Sequence, residues 1–325
     1  MVYDSYWRFA AERLAMYERR LVDPDGPWTD DSILSSYRFT NAYRVADRVS
    51  QYLIDQVQYR SDRSQAPGEI FFRTMLFKIF NRIETWELLE REHGSLSWQA
   101  ADLDAICASL DRAMQRGCRI YSAAYIMPAP RFGQVRKHAN HIALLRAMME
   151  EGLPSRIERA KSLAEVYHLL LPWQGLGSFL AFQYAIDLNY SEMLAFEESS
   201  FVVAGPGAID GISKCFASTN GISAEEIIHL MTDTQEYEFS RLGIEFRGLF
   251  GRRLQPIDCQ NLFCEISKYS RLAHPDVTGI SGRKRIKQGY TGDGTIPRPS
   301  FPPRWGLKVP PLTPKASQPR QGVLL

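Results

Sequence analysis

The stretch that most constrains this chain runs from Lys161 to Tyr190, KSLAEVYHLLLPWQGLGSFLAFQYAIDLNY. Leu163, Val166, Tyr167, Leu170 and Leu171 recur at helical spacing and give one apolar stripe. Pro172 ends that helix, because the residue before a proline is pushed out of the α region. Gly175 and Gly177 supply a turn whose backbone amides lie bare. Ser178 is placed to cap a second helix, with Phe179, Phe182 and Ile186 on its buried side. The spacing therefore predicts helix, tight turn, helix.

The rest of the chain reads the same way. Its 325 residues suffice for one large or two modest domains, and 45% hydrophobic residues allow a sizeable core. Helices are expected at 2–20, from about Thr40 to Tyr59, and at 69–92, 97–117, 134–151, 155–171, 223–250 and 256–272. A loop is expected at 121–133. Period-2 alternation is scarce, so the fold class is mainly α. From 279 onward glycine, proline and basic residues replace apolar periodicity, as in an extended surface arm. The expected organisation is a helical domain over 1–275, with the hairpin at about 161–190, and a basic Pro/Gly-rich arm over 276–325.

Other function classes are excluded. No apolar run approaches the roughly 18 residues of a membrane span, and Asp4, Arg8 and Glu12 do not suit a signal peptide. A cytoplasmic, monomeric protein with no membrane partner is the expectation. Cys107, Cys118, Cys215, Cys259 and Cys264 form no Cys-x-x-Cys pair and are expected to be reduced. His138 and His141 lack a nearby acid, so no metal and no cofactor is expected. Net charge is only +2. The last third, however, gathers Arg252, Arg253, Lys268, Arg271, Arg283, Lys284, Arg285 and Lys287, and it is local patches that meet phosphates.

The hairpin resembles the helix-hairpin-helix of DNA-repair glycosylases, with Leu171, Pro172, Gly175, Leu176 and Gly177 in comparable places. An ordinary αα corner with a glycine turn is the other reading. Five further stretches, in order, are YRFTNAYRVADRVSQYLI (37–54), FRTMLFKIFNRIETWELL (72–89), LAFQYAIDLNYS (180–191), FVVAGPGAIDGISKCF (201–216) and CQNLFCEISKYSR (259–271). Together they resemble the α-glutamyl/putrescinyl thymine pyrophosphorylases, a family also described as the helical domain of 5-hydroxymethyl-uracil DNA kinases, over about residues 5–290. The resemblance implies a helix-hairpin-helix glycosylase-like fold and work on hypermodified pyrimidines in phage DNA. Some bacterial relatives resemble defence glycosylases that excise a glucosylated hydroxymethylcytosine.

That resemblance implies a monofunctional DNA glycosylase that acts on double-stranded phage DNA, excises a hypermodified, glucosylated hydroxymethyl pyrimidine and leaves an abasic site, as anti-phage defence. Such chemistry needs a carboxylate beside an oxocarbenium-like sugar. Asp210 matches the expected placement near a helix N-terminus, where it could equally be a plain helix charge. Asp187 is the second candidate, or a structural acid paired with an arginine. Phe179 stands where bifunctional enzymes carry a Schiff-base lysine, so no lyase step is expected. Asn41, Arg44 and Asp47 recur on one expected helix face. With Glu265, Lys268 and Tyr269 they are candidates for the base pocket, or for a network tying helices together. Gly175, Gly177, Ser178, Gly205, Gly207, Lys214, Arg283, Lys284, Arg285 and Lys287 are the candidate DNA contacts. Arg298, Arg304, Lys308, Lys315 and Arg320 could extend that grip.

Two rivals stand beside this reading. One is a transferase that displaces pyrophosphate from pyrophosphorylated 5-hydroxymethyl-uracil to install an amine. The other is a non-catalytic DNA-binding module. No Gly-x-x-x-x-Gly-Lys-Ser/Thr loop is present, and on that ground the kinase name carried by relatives is not expected to apply.

Overall fold

The computed structural model describes residues 1–292 and 296–311. Lys315 and Arg320 lie outside the described residues. Among the described residues the chain is helical, with no strand beyond two isolated bridges. No helix is long and apolar enough to cross a membrane. The chain divides into two compact units, one built on Met1–Arg48 and Ala204–Pro299, the other on Val49–Val203 with Ser300–Trp305.

The first unit holds α1 (Val2–Val22), α2 (Ser32–Ser36), α11 (Pro206–Cys215), α12 (Ala224–Arg241) and α13 (Pro256–Ala273). Helix α1 buries Tyr6, Trp7, Phe9, Ala10, Leu14 and Tyr17 on one side, as its periodicity predicts. It packs on α13 and α11. Helices α11 and α13 lie against each other so closely that a Cβ on Gly211 would stand 2.0 Å from the Phe263 carbonyl oxygen. A Cβ on Gly207 would stand 2.9 Å from Cys264 Sγ. These glycines are therefore needed for helix–helix contact. The arm begins on this unit. Tyr37 and Gly289 form an antiparallel bridge, with Arg38 N donating to Gln288 O at 3.0 Å and Tyr290 N to Ser36 O at 2.9 Å.

The second unit holds α3 (Arg48–Tyr52), which continues as a π-helical turn (Leu53–Gln58), then α4 (Pro67–Phe80), α5 (Ile83–His93) and α6 (Leu103–Gln115). It is completed by α7 (Lys137–Glu150), α8 (Leu153–Glu158), α9 (Leu163–Leu170) and α10 (Gly177–Asn189). Helix α4 is its core. Ile70, Phe71, Phe72, Met75, Leu76, Phe77, Ile79 and Phe80 are all buried, packed against α7, α8 and α10. Ser300 joins this unit by a two-way amide contact with Gln51 at 2.9 and 2.7 Å, and Arg304 donates to Ser191 O at 3.0 Å.

Five local expectations are corrected. The helix expected over 223–250 stops at Arg241, and Leu249 and Arg252 pair across a tight turn beyond it. The single helix over 69–92 is two, because Asn81 takes a left-handed φ of +47° after Phe80; asparagine tolerates that conformation as a helix end. The helix over 155–171 is likewise α8 and α9, the second capped by Ser162. The helix expected from Thr40 begins only at Arg48. Ser178 does not cap α10, whose N-cap is Leu176 with no side-chain bond.

Candidate functional site

The family-like stretches assemble two buried polar centres, one in each unit. In the first unit the centre forms on residues 40–47, which hold one 3-10 turn (Arg44–Ala46) rather than an α-helix face. Ala46 N and Asp47 N close that turn on Tyr43 O and Arg44 O at 3.0 and 3.2 Å, and three other backbone donors go to side chains. Thr40 N donates to Glu265 Oε2 at 3.0 Å, Asn41 N to Asp47 Oδ1 at 2.8 Å and Arg44 N to Asp258 Oδ1 at 2.8 Å. Asn41 Nδ2 donates to Ala46 O at 2.7 Å and its Oδ1 accepts from Arg13 at 3.1 Å. Glu265 also pairs with Lys268 at 2.8 Å, and Lys268 Nζ lies 4.4 Å above the Phe39 ring. Tyr269 donates to Asp31 at 2.6 Å. Asn41, Asp47, Glu265 and Lys268 thus come together around Thr40, joined by the buried Arg13, which its spacing places on the Tyr6, Phe9 and Tyr17 face of the first helix but not in the site.

The electrostatics of this centre are uneven. Burial pushes the Asp47 carboxyl up to about 6, against the pull of the Asn41 amide, and nearby Glu265 pushes the same way; Arg44 and Arg13 oppose them. Asp47 is only partly exposed. A carboxylate that titrates close to neutral pH among fixed cations is suited to accept a proton.

Asp210 lies one turn inside α11 rather than at its start, and is buried. Its carboxylate accepts from the Ser267 hydroxyl and from Ser281 N at 2.6 Å, and pairs with Lys214 at 3.4 Å. Burial alone would raise its titration, but these donors outweigh it and hold the carboxyl below the usual range. Lys214 is spent inside the same knot, donating to Ser267 O at 2.7 Å. A Cβ on Gly279 would stand 2.6 Å from Asp210 Oδ1, so the arm's entry seals this carboxylate. Gly205 is the buried N-cap of α11.

In the second unit Asp187 is fully buried and pairs with Lys78 at 3.2 Å, a lysine rather than an arginine. Lys78 also donates to Asn81 Oδ1 at 2.7 Å and lies 5.1 Å from the Tyr125 ring centre. Tyr125, itself at φ +55°, stacks flat on Phe179 at 5.8 Å. Gly175 and Gly177 have the left-handed φ values expected of the turn, +86° and +40°. A Cβ on Gly175 would stand 3.0 Å from Pro128 O, so the 121–133 loop covers that glycine. Ser178 is exposed, as are Arg283, Lys284, Arg285 and Lys287 in the first unit.

The sequence model of the family described as "5-hmdU DNA kinase, helical domain" matches residues 1–279. The 5-hmdU DNA kinase of Bacillus phage SP10 is 26% identical over 289 residues, which is 82% of this chain and 45% of that protein. The chain thus spans under half the length of this relative. No solved structure matches it. These findings overturn the expected hydrolytic glycosylase, in function and in enzyme class, because the matched family is named for phosphoryl transfer. They also correct the inference from the missing Gly-x-x-x-x-Gly-Lys-Ser/Thr loop. Membership rests on the helical residues 1–279 and needs no such loop.

Proposed function

This chain belongs to the family of 5-hmdU DNA kinase helical domains, and from that we propose that it serves phosphorylation of the 5-hydroxymethyl group of 5-hmdU in DNA, on the acceptor side. The observation that carries the reading is the family match over residues 1–279, which includes every residue of the polar centre around Asp47.

In such a transfer the hydroxymethyl oxygen attacks the terminal phosphorus of a nucleoside triphosphate. Its proton leaves to a base and the nucleoside diphosphate departs. Positioning and charge do most of the work. Asp47 is the proton acceptor we assign, since its raised carboxyl sits where a base works best at neutral pH. Asn41 N donates to Asp47 at 2.8 Å and holds its carboxylate in place. The magnesium of the triphosphate enters with it as part of the substrate. The exposed run Arg283–Lys287 supplies phosphate contacts to the duplex.

The test is binding of a fluorescein-labelled duplex carrying one 5-hmdU against the same duplex carrying thymine. Tighter binding of the 5-hmdU duplex is expected. Equal affinity for the two would end the acceptor-side reading.

A further inference from the structure

Where the arm enters the first unit, its backbone is pinned to α11 and α13. Ile280 N donates to Ser213 Oγ at 3.3 Å, and Ser281 N to Asp210 Oδ1 at 2.6 Å. Gly282 N closes a turn on Gly279 O at 3.1 Å, with Gly282 itself at φ +62°. Arg271, in the last turn of α13, then donates from Nη1 to Arg285 O at 3.1 Å. Arg283 lies between these anchors, two residues before the carbonyl that Arg271 holds, and is exposed.

Arg271 is half-buried, and its Nε is out of solvent with no hydrogen-bond partner among the described residues. A buried donor is costly unless something accepts from it. The carboxylates whose charge reaches Arg271 are Asp210 and Glu265. Each is already matched to a lysine, Asp210 to Lys214 at 3.4 Å and Glu265 to Lys268 at 2.8 Å. Burial first, and then the charge of Arg283, makes the Arg271 guanidinium harder to keep protonated, with the two acids opposing. Among the described residues neither arginine is ion-paired with an acid. Two guanidinium charges therefore stand together on this face without a carboxylate to balance them. Together they match one phosphate monoester, which is mostly a dianion above about pH 6. Because Nη1 of Arg271 is taken by Arg285 O, its Nε and Nη2 remain as a side-on pair of donors, the fork that suits two phosphate oxygens.

We propose that Arg271 and Arg283 form a binding site for a phosphate monoester dianion. Arg271 presents its Nε–Nη2 edge to two oxygens, and the exposed Arg283 closes over the third. A phosphodiester, with a single charge, would leave one guanidinium unbalanced. That separates this site from the contacts that Lys284 and Lys287 offer along a strand. The site stands whether or not the acceptor-side reading holds.

Isothermal titration of the full chain tests it, at about pH 7.5, where a monoester is doubly charged. Thymidine 5′-monophosphate should bind saturably, and dimethyl phosphate, a diester, roughly tenfold more weakly. Inorganic phosphate that binds as tightly as the nucleotide marks a site for the free ion. Tighter binding of the nucleotide marks a site for the esterified one. Arg283→Gln and Arg271→Gln should each weaken the nucleotide roughly tenfold, the loss of one charge-assisted contact. Arg283 is exposed, so its variant keeps the fold. The amide introduced in Arg271→Gln can still donate to Arg285 O. Arg298→Gln, which removes an exposed cation farther along the arm, should bind as the wild type does. No saturable binding, equal affinity for dimethyl phosphate, or an equal loss in the Arg298 variant would overturn the site.

Discussion

Burial raises the Asp47 carboxyl from an ordinary 3.8 to about 6, so between those pH values the folded chain holds a proton that the unfolded chain has released. Stability from this group is present in full below the lower value and is lost as pH rises through the upper one. Asparagine in its place keeps the oxygen that accepts from Asn41 N and never ionises. The Asp47→Asn variant should therefore match the wild type near pH 4 and exceed it near pH 7. The gain should be about 1–2 kcal/mol, discounted for the partial exposure of the side chain. Urea unfolding at intervals across that range checks it, and a gap that narrows with rising pH would refute the assignment. Asp187 is paired with Lys78 out of solvent on both sides, so removing either partner would leave an uncompensated buried charge.

Helices α11 and α13 carry the first unit, and their contact depends on glycine. A Gly211→Ala variant would push a methyl group into the Phe263 carbonyl, 2.0 Å from the added carbon, where backbone cannot give way as a flexible side chain could. It should lose about 3 kcal/mol or more, read as a lower urea midpoint. An unchanged midpoint would mean the helices do not pack as described. This contact also shows what periodicity reveals and what it hides. The spacing of Tyr6, Phe9 and Tyr17 in α1, and of the apolar residues of α13, was enough to place those helices; for α12 it placed the start but overran the end at Arg241. The segment 40–47 reads as helix by the same rule, yet its amides are taken by Glu265, Asp47 and Asp258. Two of those partners are more than two hundred residues away, and no local pattern announces them. Asn41, Asp47, Glu265 and Lys268 were still legible as a group, because they sit in family-like stretches. Arg13 reads from its spacing as part of the Tyr6, Phe9 and Tyr17 face and not as a site residue. The turn at Phe250 falls in a stretch whose spacing predicts helix, and a strained turn is visible only in its dihedral angles.

On the proposed role on DNA, charge and not core size decides how the whole molecule would meet a duplex. The formal net charge is only +2, so long-range attraction is weak and contact must come from places where cations are concentrated. The arm provides one. Its bridge at Tyr37 and Gly289 fixes the backbone beside the exposed Arg283, Lys284, Arg285 and Lys287. Each phosphate neutralised releases counterions, and the logarithm of affinity then falls against the logarithm of salt with a slope of roughly 0.9 per contact. Replacing all four residues with alanine should lower that slope by about 3 to 4 and weaken 5-hmdU and thymine duplexes alike. Stability should barely move, since surface changes away from packed features cost within about 0.5 kcal/mol. Anisotropy titrations from low to moderate salt provide the measurement. If the slope is unchanged in the quadruple variant, the arm does not touch the DNA backbone. If affinity for the 5-hmdU duplex alone declines, these residues read the base instead of holding the strand.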